Sequence, residues 1–292
     1  MTAPLNPSPY RALLLDLDGT LIGPSGLPHA RTTEAVRRLV AGGVRVMIAT
    51  GRSDAGTIPI IEHLGLEAPA VVFNGAGIWC PVKGRLLEER TLSNEKVARV
   101  FDFASSQDLC VIAMQAGKKF ARHPKSQGEE RCLLGLEGLH LVEEAELPRE
   151  RLMRMTLFSD VYTDSYVMLA DVEGAVGQPL YYTNFPLSAL YEHKDSSFQV
   201  VDVQPPCRGK GEAVRFLYDT EGIRPEEVVA IGDATNDLPM FEVAGLAVAM
   251  ANAMPATLEA ADRTIGTADT DTIAELAEEL WPHCFESTRS PR

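Results

Sequence analysis

The sequence predicts an α/β protein: a doubly wound, Rossmann-like parallel sheet with an α+β cap inserted into it. Two observations at the ends of the chain carry the core. Short apolar runs alternate there with helix-period segments, and each run ends at a carboxylate, hydroxyl or glycine. The runs are apolar throughout rather than at every second residue, as strands covered on both faces are. A third observation carries the insertion: the intervening stretch has longer strands, fewer helices and a Gly/Glu-rich interval.

Taken in order, Arg11–Asp18 (RALLLDLD) reads as the first strand. Thr32–Val40 has helix periodicity, with Glu34 in its first turn and Gly42-Gly43 as its stop. Val44–Thr50 is β-branched and apolar, Ile58–Leu64 is a helix stopped by Gly65, and Ala70–Phe73 is a further buried strand. The last third repeats the pattern. Helices are expected at Gly211–Tyr218, Asp237–Val243, Pro255–Ala261 and Thr272–Leu280, with strands at Val228–Ile231 and Leu246–Met250. Between them, helices are expected at Asn94–Ser105 and Thr163–Leu169. Strands are expected at Leu109–Gln115, Lys119–Arg122, Arg151–Ser159 and Phe198–Val203, with loops from Gln127 to Glu146. The expected division is core at 1–82, cap at 83–204 and core again at 205–292, with the tail from Glu286 frayed.

Composition sets limits. The 292 residues are 45% hydrophobic, enough for a substantial core, which excludes global disorder. Against 27 Lys and Arg stand 41 Asp and Glu, a formal charge of −14. That balance argues against nucleic acid and anionic membrane surfaces as partners. No run approaches the roughly 18 apolar residues of a spanning helix, and Met1–Tyr10 is polar and proline-rich, without a signal core. Cys80, Cys110, Cys132, Cys207 and Cys284 show no CxxC or zinc spacing, and read as free thiols in a reducing cytoplasm.

Ligands of open α/β sheets bind beyond the carboxyl ends of the strands, and four polar clusters fall there. Asp16-Leu17-Asp18-Gly19-Thr20 puts two carboxylates at the end of an apolar strand, which is costly without a neutralising charge. A hard divalent cation such as Mg²⁺ supplies one; a simple Asx turn is the structural alternative. Thr50-Gly51-Arg52-Ser53 offers a hydroxyl, a pliable backbone and a cation for a phosphate oxygen, or else a turn capped by Ser53. Lys210, in Arg208-Gly209-Lys210-Gly211, opposes the dipole of the helix it begins unless an anion is present. Gly232-Asp233-Ala234-Thr235-Asn236-Asp237 adds two carboxylates and an amide after the VVAI strand.

In this order, DxDGT, TGR, GKG and GDATND resemble the haloacid dehalogenase-like phosphohydrolases. The long insertion between TGR and GKG resembles the Cof-type subfamily, with its type IIB cap. The resemblance spans Ala12 to about Leu280 and covers the cap only in length and texture. It implies Asp16 as the nucleophile that becomes an aspartyl-phosphate, and Asp18 as the general acid and then base. It implies Mg²⁺ on the Asp16 carboxylate, the Asp18 carbonyl and Asp233. Thr50, Lys210 and Asn236 would hold the phosphoryl group, with backbone amides around Leu17 and Gly51. Arg52 would add positive charge, Asp237 would orient Lys210 or a metal-bound water, and Asn74, in an Asn-Gly-Ala turn, would lie near the entrance. Ala251 stands where relatives carry glycine before Asn252, which puts a backbone contact there in doubt.

Lys119, Arg122 and His123 read as a solvated cap face, and Trp79 and Trp281 as packing residues. The expected function is a cytoplasmic, Mg²⁺-dependent phosphatase of a small phosphorylated metabolite, a sugar phosphate or nucleotide-type cofactor. Its competitors are a phosphotransferase or sugar phosphomutase on the same scaffold, and a non-catalytic sensor of a phosphorylated ligand.

Overall fold

The computed structural model of the protein describes residues 8–23, 26–136, 138–190 and 193–286. The expected frayed tail, apart from Glu286, lies outside them. The first part of the chain forms β1 (Ala12–Leu15), α1 (Ala30–Ala41), β2 (Arg45–Ile48), α2 (Asp54–Leu64), β3 (Ala70–Val72), β4 (Gly77–Cys80) and β5 (Arg85–Glu89). The middle forms α3 (Asn94–Ser106), β6 (Cys110–Gln115), β7 (Lys118–Arg122), α4 (Gln127–Leu133), β8 (Leu139–Val142), β9 (Arg154–Ser159), α5 (Ser165–Val176), β10 (Tyr181–Pro186) and β11 (Gln199–Gln204). The last part forms α6 (Glu212–Glu221), β12 (Val228–Gly232), α7 (Leu238–Phe241), β13 (Leu246–Met250), α8 (Pro255–Ala260), β14 (Arg263–Ile265) and α9 (Thr272–Leu280).

The core sheet is parallel, in the order β14-β13-β12-β1-β2, with β3 beside β2 through an Ala49–Val71 bridge. Its strands alternate between two buried faces. Leu13, Leu15, Val46, Ile48, Val229 and Ile231 share one apolar cluster with α1 and α9; Ala12, Leu14, Met47 and Ala230 share another with α6 and α7. Burial on both sides is why the runs carry no polar alternation. From β1 the chain winds outward through β2 and β3, then returns to build β12–β14 on the other side. The reversal therefore falls between β1 and β12, where an open α/β sheet presents its crevice.

The inserted cap is a six-stranded sheet in the order β10-β11-β9-β6-β7-β8, mostly antiparallel. Helices α3 and α5 cover one face, over Val111, Met155, Leu157, Val201 and Val203. The other face looks toward the core loop after β3, with Ile112, Met114 and Phe158 in one cluster with Phe73.

The stretch expected as loop from Gln127 to Glu146 instead holds α4 and β8. Helix α4 is capped by Ser126, whose hydroxyl accepts from Glu129 N, and is fixed by a buried Arg122–Glu129 pair at 2.7 Å. These contacts outweigh the Gly/Glu composition. Burial corrects the reading of Lys119 and Arg122 as a solvated face, Arg122 lying in this pair, while His123 is exposed. Helix α5 runs to Val176, well beyond the expected Leu169. Strands β4, β5, β10 and β14 were not expected; the sheet β3-β4-β5 crosses position 83. Trp281 is buried and donates to Tyr10 O, and Trp79 packs against apolar clusters.

Candidate active site

Each core cluster sits at the end of a strand, and the parallel register brings them together. Strand β1 ends beside β12, with Leu15 paired to Ile231, so Asp16 and Asp233 project from adjacent strand ends. Gly19 lets the chain double back: its φ is +82°, and a Cβ there would lie 2.3 Å from Asp233 Oδ2. Thr20 Oγ1 donates to Asp233 Oδ1 at 2.8 Å, locking that turn to β12.

Lys210, fully buried, enters from the turn before α6. Its Nζ donates to Asp16 Oδ1 and Asp237 Oδ1, both at 2.6 Å. Burial alone would depress the ammonium, but Asp16 and Asp237 outweigh it and hold its pKa above the ordinary value. The other Asp237 oxygen accepts from Asp233 N and Ala234 N at 2.9 Å. Both Asp237 oxygens are therefore engaged within the protein. The residue orients Lys210 and closes the loop after β12.

Asp16 is pushed well above the usual carboxylate range, chiefly by burial, against the pull of Lys210 and with further push from Asp237 and Asp233. Asp233 rises to about 6, through burial first and Asp237 second. Oxygens of Asp16, Asp233 and Asp237 lie within 4.8 Å of one another. One ammonium does not balance three carboxylates. With Asp237 occupied, Asp16 and Asp233 are the hard oxygen donors left for a divalent cation, so this donor set fits Mg²⁺.

Asp18 does not join that carboxylate cluster. Its carboxylate, 49% exposed, is gripped bidentately by Arg52, Nε to Oδ2 at 2.8 Å and Nη2 to Oδ1 at 2.5 Å. Arg52 thus faces Asp18, where added positive charge for a phosphate was expected. Its own N–H donates to Thr50 Oγ1 at 3.0 Å, and Thr50 is buried at the end of β2. Leu17 is buried too, its carbonyl accepting from Ile22 N at 2.8 Å. Ser53 caps α2, accepting from Gly56 N, as the turn sequence suggested.

Asn74 follows β3 with φ 48°, beside Phe73 with φ 51°. Two successive non-glycine residues in this region carry strain of about 1–3 kcal/mol each. Backbone bonds hold them there, Phe73 N to Arg52 O and Asn74 N to Thr50 O. Asn236 Nδ2 donates to Asn74 Oδ1 at 3.0 Å, so the Thr50, Asn74 and Asn236 segments form one polar rim. Asn252 keeps a contact despite Ala251, donating to Gly19 O at 3.0 Å.

The profile of the haloacid dehalogenase-like hydrolases matches residues 13–276. The chain belongs to that family. A 5-amino-6-(5-phospho-D-ribitylamino)uracil phosphatase of Bacillus subtilis is 26% identical over 92% of this chain and 98% of its own length. A putative phosphatase of Haemophilus influenzae is 28% identical over 94% and 99%. Among solved structures, a subclass IIB sugar phosphatase superposes with a TM-score of 0.75 at 20% identity, covering 92% of this chain and 98% of that one. A phosphatase from Bacteroides thetaiotaomicron gives 0.76 at 21%, covering 93% and 95%. The Cof-type resemblance and the expectation of a phosphoric monoester hydrolase hold at this level.

Sequence reasoning missed the contacts that the cap makes beside the candidate site. Arg154 on β9 donates Nη1 to Gly51 O at 2.6 Å, and its guanidinium carbon lies 5.4 Å from the centre of the Phe73 ring. Gly117 N, in the β6–β7 turn, donates to Asp54 Oδ1 at 3.1 Å. No motif surrounds either residue, and an arginine in an amphipathic strand carries no signal of its own. Thr20 was legible as part of DGT, but its bond to a residue 213 positions away was not. Among the described residues no helix is long and apolar enough to cross a membrane.

Proposed function

We propose that this hydrolase is a cytoplasmic, Mg²⁺-dependent phosphatase of small phosphorylated metabolites, with residues 83–204 as cap over a core of 1–82 and 205–292. The single observation that carries the reading is the buried Asp16–Lys210–Asp237 chain beside Asp233. It gives a carboxylate at a strand end, an ammonium beside it and room in the charge balance for one divalent cation.

In this reading Asp16 Oδ2, the oxygen not bound by Lys210, attacks phosphorus in line. A P–O bond forms to Asp16 as the bond to the substrate alcohol breaks, and Asp18, having left Arg52 and taken a proton from solvent, delivers the proton that alcohol needs. Water then attacks phosphorus and yields its proton to Asp18 as the P–O bond to Asp16 breaks, freeing phosphate and the Asp16 carboxylate. Lys210, Thr50 and Asn236, with the amides near Leu17 and Gly51, hold the phosphoryl oxygens. Mg²⁺ held by Asp16, Asp233 and the Asp18 carbonyl supplies, when bound, positive charge against those oxygens. Arg52 holds Asp18 until substrate arrives, and Asn74 keeps Asn236 in place.

Phosphate release from a panel of sugar phosphates, nucleotides and p-nitrophenyl phosphate, with Mg²⁺ and with chelator, tests this. Asp16→Asn is expected to lower turnover by about 10⁴-fold or more. Unchanged release in that variant, or activity that survives chelation, overturns the reading; isomer formation without phosphate release makes the enzyme a phosphomutase.

A further inference from the structure

One buried carboxylate beside the site has no part in the proposed chemistry. Glu212 opens α6 and is 3% exposed. A first-turn glutamate ordinarily stays in solvent, where it favours the helix dipole at little cost. Burying it is expensive unless cations and donors surround it. Here they do, and they come from three parts of the chain. Oε2 accepts from Arg215 Nε one turn on and from Arg90 Nη2 at 3.1 Å, while Oε1 accepts from Arg208 N at 3.1 Å. Arg215 alone would complete a helix pair. Arg90 lies 122 positions away, and its other nitrogen, Nη1, donates to Gly75 O at 2.9 Å.

These bonds join two turns of the candidate site. Gly209–Gly211 presents Lys210, and Phe73–Gly75 presents Asn74. The turns pack backbone to backbone: a Cβ on Gly75 would collide with Gly209 O and lie 3.2 Å from Glu212 Cγ, and Cys207 Sγ stands 3.4 Å from Asn74 O. Phe73 and Asn74 keep their positive φ only because their surroundings hold them, and the bond from Arg90 to the Gly75 carbonyl is one of those holds. Arg90 lies between β5 and α3, where the chain leaves for the inserted sheet. Arg208 lies between β11 and α6, where it returns. Glu212 therefore ties both crossings between the sheets to the turn that carries Lys210.

We infer that Glu212 is a positioning residue for phosphoryl transfer: through Arg90 and the Arg208 amide it holds the Lys210 and Asn74 turns in register, without touching substrate. Lys210 Nζ meets Asp16 Oδ1 at 2.6 Å with its turn in this place, and Asn74 Oδ1 holds the Asn236 amide from the facing turn. A shift of about 1 Å between the turns would misplace the ammonium or the amide against the transferring oxygens. Arg90 shares the role as the arm that reaches the second turn. This role presupposes the phosphatase reading and deepens it.

The test measures kcat and KM for p-nitrophenyl phosphate and ribose 5-phosphate, with Mg²⁺, in the wild type, Glu212→Ala and Arg90→Met. Each is assayed at a temperature where circular dichroism shows it fully folded. Glu212→Ala is expected to lower kcat ~100-fold with KM within ~3-fold of the wild type, because the groups it places act on charge that develops during transfer. If Glu212→Ala does not fold, Arg90→Met, at a half-buried side chain, takes its place with an expected ~10-fold loss in kcat. Unchanged kcat in the folded variant, with only the melting temperature or KM moved, marks a merely structural role and overturns the inference. No release from either substrate by the wild type overturns the phosphatase reading itself, and the role of Glu212 with it.

Discussion

The two sheets bury charge in opposite ways. At the carboxyl end of the core sheet, Asp16, Asp233 and Asp237 share a single ammonium, and burial raises the pKa of both Asp16 and Asp233. In the cap, Arg122 and Glu129 pair one to one through two bonds of 2.7 and 2.8 Å, and Glu129 is held below its ordinary value despite burial. The balanced pair fixes a helix. The unbalanced cluster holds more carboxylates than its one ammonium offsets, and in the proposed function a divalent cation makes up the difference. Buried charge alone does not distinguish structure from function; its arithmetic does.

The sharpest way to break this contrast is to remove the core's one cation. Lys210→Met leaves two buried carboxylates facing each other, and is expected to destabilise the protein by about 3–5 kcal/mol at neutral pH. Urea denaturation measures it. Opening the cap pair should cost nearly as much singly but little jointly. Arg122→Met is expected to lose about 3 kcal/mol, while the Arg122→Met/Glu129→Leu double variant recovers most of it, because the pair mainly offsets its own desolvation. A double variant as unstable as the single one would make the cap pair a net source of stability.

The smallest effect is the most diagnostic. Asp233 titrates at about 6 when folded against an ordinary 3.8, so the fold binds its proton more tightly than the unfolded chain does. The resulting stability is full below the unfolded value and is lost as pH rises through about 6. In the proposed function, Mg²⁺ bound at Asp233 would oppose that loss. Melting temperatures with and without chelator should agree near pH 4 and diverge by a few degrees toward pH 7. A gap independent of pH would detach the cation from Asp233.

The core was legible because its chemistry is local. Each cluster follows a buried strand within a few residues, and parallel pairing then aligns Asp16 with Asp233 without further instruction. Even there the direction of Asp18 was not legible, since Arg52 lies on the neighbouring strand's loop. The cap resisted for the same physical reason in reverse. Arg154, Tyr181, Asp202 and Gln204 come from three strands, and only antiparallel register places them together. Arg122 looked like a surface arginine because its partner, Glu129, sat in a stretch whose composition favours loops.

The bond from Arg154 to the carbonyl of Gly51 has a consequence for timing as well as for shape. That peptide lies in the turn after β2 and is also held by β9 of the inserted sheet. Whatever strengthens its hold on one must alter its hold on the other, by the reciprocity that links any two coupled equilibria. In the proposed function, a phosphate that strengthened the loop's hold on Arg154 would by the same factor favour the docked cap.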